Sequence, residues 1–110
     1  MSETVLLMAD RFCRAFLRPG DRAQATHALA AYGCTAIPVL QAILSGEAKN
    51  EFGVAYRRLG MPVDGALVTI QLLGPTARPL APFVRAELRA GHAYAEDAWR
   101  AIMSAPASAP

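Results

Sequence analysis

Lysine is almost missing from this chain: Lys49 is the only one among 11 basic residues, and the rest are arginine. Arginine carries a planar fork of donors that lysine lacks, so an arginine-rich surface suits a protein or a phosphate partner. A GC-rich genome would produce the same bias with no functional meaning. The formal net charge is only +2, so no global electrostatic pull toward nucleic acid follows. Cysteine is scarce too. Cys13 and Cys34 are the only two, and both sit among apolar neighbours. That predicts buried free thiols, because cysteine packs as a small hydrophobe; a disulfide would imply an oxidising compartment. No apolar run approaches the roughly 20 residues that span a bilayer. Glu3 stands where a signal peptide carries positive charge, and Asp10 and Arg11 interrupt the apolar run early. The expectation is a cytoplasmic protein without a membrane span.

Catalytic patterns are missing as well. There is no Gly-x-Ser-x-Gly, no phosphate loop and no paired His-Glu motif. His27, His92, Cys13 and Cys34 are the only soft metal ligands, and none falls at the local spacing that zinc sites show. Neither metal nor cofactor is expected. Glu96-Asp97 beside Tyr94 and Trp99 is the best acidic cluster, and a carboxylate among aromatics could stabilise a cationic base or sugar. The same two acids complement the dipole at a helix start, and Glu96 can pair with Arg100 at i, i+4. The chain reads as a non-enzyme.

No segment alternates apolar and polar residues over a strand's length, whereas leucine, alanine and arginine, all good helix formers, abound. The chain is predicted to be all-α. With 110 residues it forms one domain that can bury about two thirds of its unfolded surface. A first helix capped by Ser2 or Thr4 buries Val5, Ala9, Phe12 and Phe16, and Pro19-Gly20 ends it. Asp21 caps a second helix with Ala25, Ala28, Leu29 and Tyr32 inward. Thr35 caps a third with Val39, Leu40, Ile43 and Leu44 inward. Phe52, Ala55, Tyr56 and Leu59 predict a fourth helix over 52–59. A fifth runs from Asp64 to Leu73. Thr76 caps a sixth, with Pro79 in its first turn and Pro82 kinking its axis. A last helix runs from Tyr94 to Ser104. The domain is 1–104, and the tail 105–110 is too poor in apolar bulk to order itself.

One motif recurs. Gly33-Cys34-Thr35-Ala36-Ile37-Pro38 returns as Gly74-Pro75-Thr76-Ala77-Arg78-Pro79, 41 residues on (74 − 33), with four of six positions identical. The match extends outward: Ala25 with Ala66, Leu29 with Ile70, Val39 with Leu80, Ile43 with Val84. A fixed period implies a repeat architecture. Setting aside an inserted segment of roughly 10–13 residues leaves a unit of about 30, within the range of helical solenoids. Tyr32 to Leu40 and Leu73 to Val84 resemble the start of a HEAT repeat, in which Leu-Gly ends an inner helix and Ala-x-Pro opens the next outer one. The resemblance covers about residues 21–104. It implies a short HEAT-like stack of about three antiparallel helix pairs plus one inserted helix, with the second helices lining a concave face for protein contacts. Gly91-His92-Ala93-Tyr94 departs from the family, which places Val-Arg after an Asp there.

The stack places Gln24, His27, Asp64, Val68, Gln71, Asp97 and Arg100 on that concave face, with Phe52 and Tyr56 of the insert as aromatic anchors beside Arg57 and Arg58. A surface with a few anchors suits protein recognition. Small modules that resemble this one occur in bacteria as toxin-neutralising immunity proteins and as subunits of larger assemblies. The expected function is therefore non-catalytic binding of another protein, as an inhibitor or an assembly subunit. The alternative is phosphate-backbone binding of nucleic acid through two arginine stripes: Arg11, Arg14, Arg18 and Arg22, and Arg78, Arg85 and Arg89.

Overall fold

Six α-helices form among the described residues: α1 (Glu3–Phe16), α2 (Arg22–Ala30), α3 (Ala36–Ser45), α4 (Met61–Leu73), α5 (Ala81–Arg89) and α6 (Ala95–Met103). They belong to a computed structural model that describes residues 2–104, so the tail predicted at 105–110 lies outside the described residues. No strand forms among those residues beyond a single antiparallel bridge between Lys49 and Ala55. The all-α class expected from the sequence is the class observed. Among the described residues, no single helix is long and apolar enough to cross a membrane.

The start of α1 follows the sequence: Ser2 Oγ accepts the Val5 N–H at 3.1 Å, satisfying one of the free donors of the first turn. The other expected caps fail. Asp21 and Thr35 are themselves in the right-handed helical region, with ψ −9° and −24°. An N-cap side chain normally reaches the first-turn donors from extended backbone, and neither of these does so. The Asp21 carboxylate pairs instead with Arg18 at 2.8 Å. Thr76 lies inside a 3-10 stretch, Gly74–Leu80, and α5 begins only at Ala81. The prolines account for the late start. Pro79 and Pro82 each remove a donor from the i→i−4 ladder, so the chain stays in the tighter coil until Pro82 falls in a first turn. There its missing N–H costs nothing, and Pro82 opens α5 rather than kinking it.

The helix predicted over 52–59 is also corrected. Residues 48–56 form a short hairpin, and only Tyr56–Leu59 coils, as one 3-10 turn. Gly53 takes φ +76° and Ala55 is extended at ψ 131°, and neither fits an α-helix. The apolar spacing that suggested a helix belongs to a hairpin return followed by a single turn.

Helices pack in pairs, α1 with α2, α3 with α4 and α5 with α6. Between pairs, α1 meets α3 and α3 meets α5 in one row, while α2 meets α4 and α4 meets α6 in the other. The shared core is largely aliphatic, with Phe12, Phe16 and Tyr56 as its buried aromatics; Phe16, Leu29, Leu40, Ile43, Leu67, Ile70, Leu80 and Ile102 are fully buried. Positions related by the 41-residue offset (74 − 33 in the motif) have matching environments. Ala25 and Ala66, Leu29 and Ile70, Ala36 and Ala77, Val39 and Leu80, and Ile43 and Val84 are all buried. Ala28 and Tyr32, expected inward, are exposed. Cys13 is a buried free thiol as expected, but Cys34 is exposed, because it sits in the 3-10 turn at the corner between α2 and α3.

Gly65, mid-helix in α4, has a packing reason that no sequence spacing reveals. A Cβ there would lie 2.5 Å from the ring carbons of the buried Phe16, so the glycine lets α1 and α4 approach closely. Gly65→Ala is expected to cost about 1–3 kcal/mol through overpacking. Gly20→Ala, with nothing within 4 Å of the added carbon, is the control and is expected to be neutral. Urea unfolding of both variants checks this, and equal stability of the two would contradict the close approach.

Candidate protein-interaction surface

The segment between α3 and α4 is built around Asn50. Its carboxamide Oδ1 accepts the N–H of Phe52 at 2.9 Å and of Val54 at 3.0 Å. Its backbone carbonyl accepts the Gly53 N–H at 3.0 Å, and its N–H donates to Val54 O at 2.9 Å. A turn followed by a left-handed glycine closes a three-residue hairpin loop, and asparagine favours such turns because its side chain imitates a backbone acceptor. The result is a tip held by four hydrogen bonds that presents Phe52, 82 % exposed.

Two braces fix the hairpin to the helices. Tyr56 is buried at 1 % exposure, and its hydroxyl donates to Asp10 Oδ1 of α1. Arg14 donates to the other oxygen of Asp10 at 2.9 Å, forming the ion pair expected from their spacing. Arg57 donates to the Leu44 carbonyl at the end of α3 and, at 2.8 Å, to Glu87 of α5. Glu87 is itself buried at 5 % exposure. Tyr56 and Arg57 are therefore corrected from surface contacts to braces: an aromatic with a polar tip and a long cation are each most stable here with their polar atoms satisfied inside. Arg58 and Phe52 remain outward.

These contacts shift the groups involved. Burial alone would push the Asp10 carboxyl up, but the hydrogen bonds from Tyr56 and Arg14 and the Arg14 charge outweigh it and hold the group below 3.8. Burial, then the bond to Asp10, raises the Tyr56 phenol. Burial, then the Asp10 charge, raises the Cys13 thiol.

A second feature is a groove of about 440 Å³ lined by Arg22, Thr26 and His27 of α2, Asp64 and Val68 of α4, and Tyr94 just before α6. Of the residues expected on a concave face, it brings together His27, Asp64 and Val68. Gln24, Gln71, Asp97 and Arg100 are exposed but do not line it; Arg100 pairs with Glu96 at 2.5 Å, as its spacing predicted. His92 Nε2 meets Asp64 Oδ1 at 2.8 Å, and its Nδ1 accepts the Tyr94 N–H at 3.4 Å. Both ring nitrogens are engaged, so His92 ties the loop before α6 to α4. Among the described residues, no three His, Cys, Asp or Glu side chains gather as metal ligands would.

The first arginine stripe is largely committed to the fold. Arg14 and Arg18 pair with Asp10 and Asp21, Arg22 donates to the Phe16 carbonyl at 2.7 Å, and Arg11 lies over the Phe12 ring. In the second stripe Arg78 donates to the Ile102 carbonyl at 3.1 Å. Comparison with protein-family models, curated proteins and solved structures gave no match.

The brace has a pH signature. A carboxyl held below its ordinary value contributes stability above 3.8 and loses it as pH falls through the folded-state value. Asp10→Asn is expected to lower stability at pH 7 by about 1 kcal/mol, a modest figure because the group is partly solvated. The gap to the parent protein should close as pH drops below 3.8. Thermal melts of both proteins from pH 3 to 7, taken at roughly unit steps, check this. A gap independent of pH would assign the loss to packing.

Proposed function

We propose that this chain is a small HEAT-like helical-repeat protein that acts without catalysis by binding another protein, and that the hairpin is its principal contact. The observation that carries the reading is Phe52, 82 % exposed on a tip that is hydrogen-bonded internally and braced to the helices. An exposed phenylalanine on a mobile loop would lose entropy on binding. One on a fixed tip has already lost it, so more of the roughly 1.5–3 kcal/mol from burying the ring goes into affinity. Two sets of observations support the HEAT-like part: the two rows of helices, and the matched burial of positions 41 apart (74 − 33). The groove beside Asp64 supplies a second, mixed surface where such a stack has its inner helices.

In this reading the protein is an inhibitor of the immunity type, inserting Phe52 into a cleft of its target, or a small subunit docked by the same residue. Phosphate-backbone binding has less support, because most of its proposed arginines already pair within the chain. Co-expression with the proteins encoded beside it provides the test. One neighbour is expected to form a complex stable to size-exclusion chromatography. Phe52→Ala is expected to bind it about thirty-fold more weakly by calorimetry, the equivalent of about 2 kcal/mol, with an unchanged melting temperature. No complex, or equal affinity for the variant, would defeat the reading.

A further inference from the structure

Away from the hairpin, α5 and α6 enclose a separate groove of about 350 Å³. Its lining is Ala81, Pro82, Ala86 and the Trp99 indole, flanked by Arg85 and Arg89. The two arginines stand one helical turn apart and project along one side of α5. Among the described residues neither has a hydrogen-bond or ion-pair partner, whereas Arg14, Arg18, Arg57 and Arg100 each pair with a carboxylate. The acid nearest to them in sequence, Glu87 of α5, is buried and committed to Arg57. Among the described residues, no carboxylate lines the groove.

We propose that this groove is a docking site for an acidic, apolar peptide segment of a partner protein. An aliphatic side chain of the segment lies on Trp99, Pro82 and the alanines, and the adjoining carboxylates meet Arg85 and Arg89. Charge complementarity is the argument for this occupant: a carboxylate suits the planar guanidinium fork, and the unpaired arginines make the groove rim positive. The two arginines span only one helical turn of α5. Nucleic acid would need a longer run of phosphate contacts, and the arginines of the first stripe are already bonded within the chain. The site does not depend on Phe52, and its occupancy can be read separately.

Trp99 is the only tryptophan in the chain, so intrinsic fluorescence reports this groove directly. The full chain is titrated with a capped hexapeptide of alternating glutamate and leucine, with its lysine–leucine counterpart, and with a single-stranded thymidine oligonucleotide. The expected result is a saturable change in Trp99 emission with the acidic peptide alone. Binding should be about ten-fold or more weaker for Arg85→Ala/Arg89→Ala, with the far-UV circular dichroism unchanged, as befits two exposed positions. Arg89→Glu on its own should weaken binding in the same direction. The proposal is overturned if the acidic peptide leaves the emission unchanged, if the double variant binds it equally well, or if the oligonucleotide alone produces the response.

Discussion

The Arg57 guanidinium joins three parts of the chain that are far apart in sequence. It closes the end of α3 by bonding the Leu44 carbonyl, it belongs to the turn that leads into α4, and it neutralises Glu87 within α5. Glu87 is the residue that makes this compulsory. A carboxylate at 5 % exposure is strongly destabilising unless it is paired, so any arrangement that moved the 46–60 segment off α5 would strand it. The position of the hairpin, the end of α3 and the rotation of α5 are therefore one decision. Tyr56 makes the equivalent tie on the opposite side, through Asp10 of α1.

That constraint has a consequence at the surface. A segment joining two helices would ordinarily be a loose loop, since loops cost little to lengthen. Here it is fixed at both edges and at its tip, and the tip presents a phenylalanine, Phe52, to solvent. The arginines divide in the same manner. Those of α1 and the turn after it are spent on carboxylates and carbonyls of the fold, while Arg85 and Arg89 face an apolar groove without acids. The polar residues of this small protein fall into two groups: one completes the packing, and the other has no partner among the described residues.

Much of the fold was legible in advance. The α1 stripe, the burial of Val39, Leu40, Ile43 and Leu44 in α3, and the ion pairs Asp10–Arg14 and Glu96–Arg100 all follow from spacing within a turn or two of helix. The failures were local competitions that spacing does not record. Asn50 captured the amides of Phe52 and Val54, and Pro79 with Pro82 postponed α5. Of the candidate surface, Phe52 lies exposed on the hairpin tip, and His27, Asp64 and Val68 share a groove. Tyr56 and Arg57 were misplaced because their partners could not be read from the sequence.

By itself the sequence determined the all-helical class, most of the helices and much of their apolar faces, and it showed the repeated Gly-x-Thr-Ala-x-Pro. Each of these depends on neighbours within about a dozen residues, or on identity at a fixed offset. Only the tertiary structure decided which polar side chains are spoken for. Tyr56 meets Asp10 across 46 residues and Arg57 meets Glu87 across 30. No periodicity encodes such pairs; they arise because packed helices bury polar groups that must then find one another. That pairing, more than composition, decides which arginine and which aromatic remain free to bind.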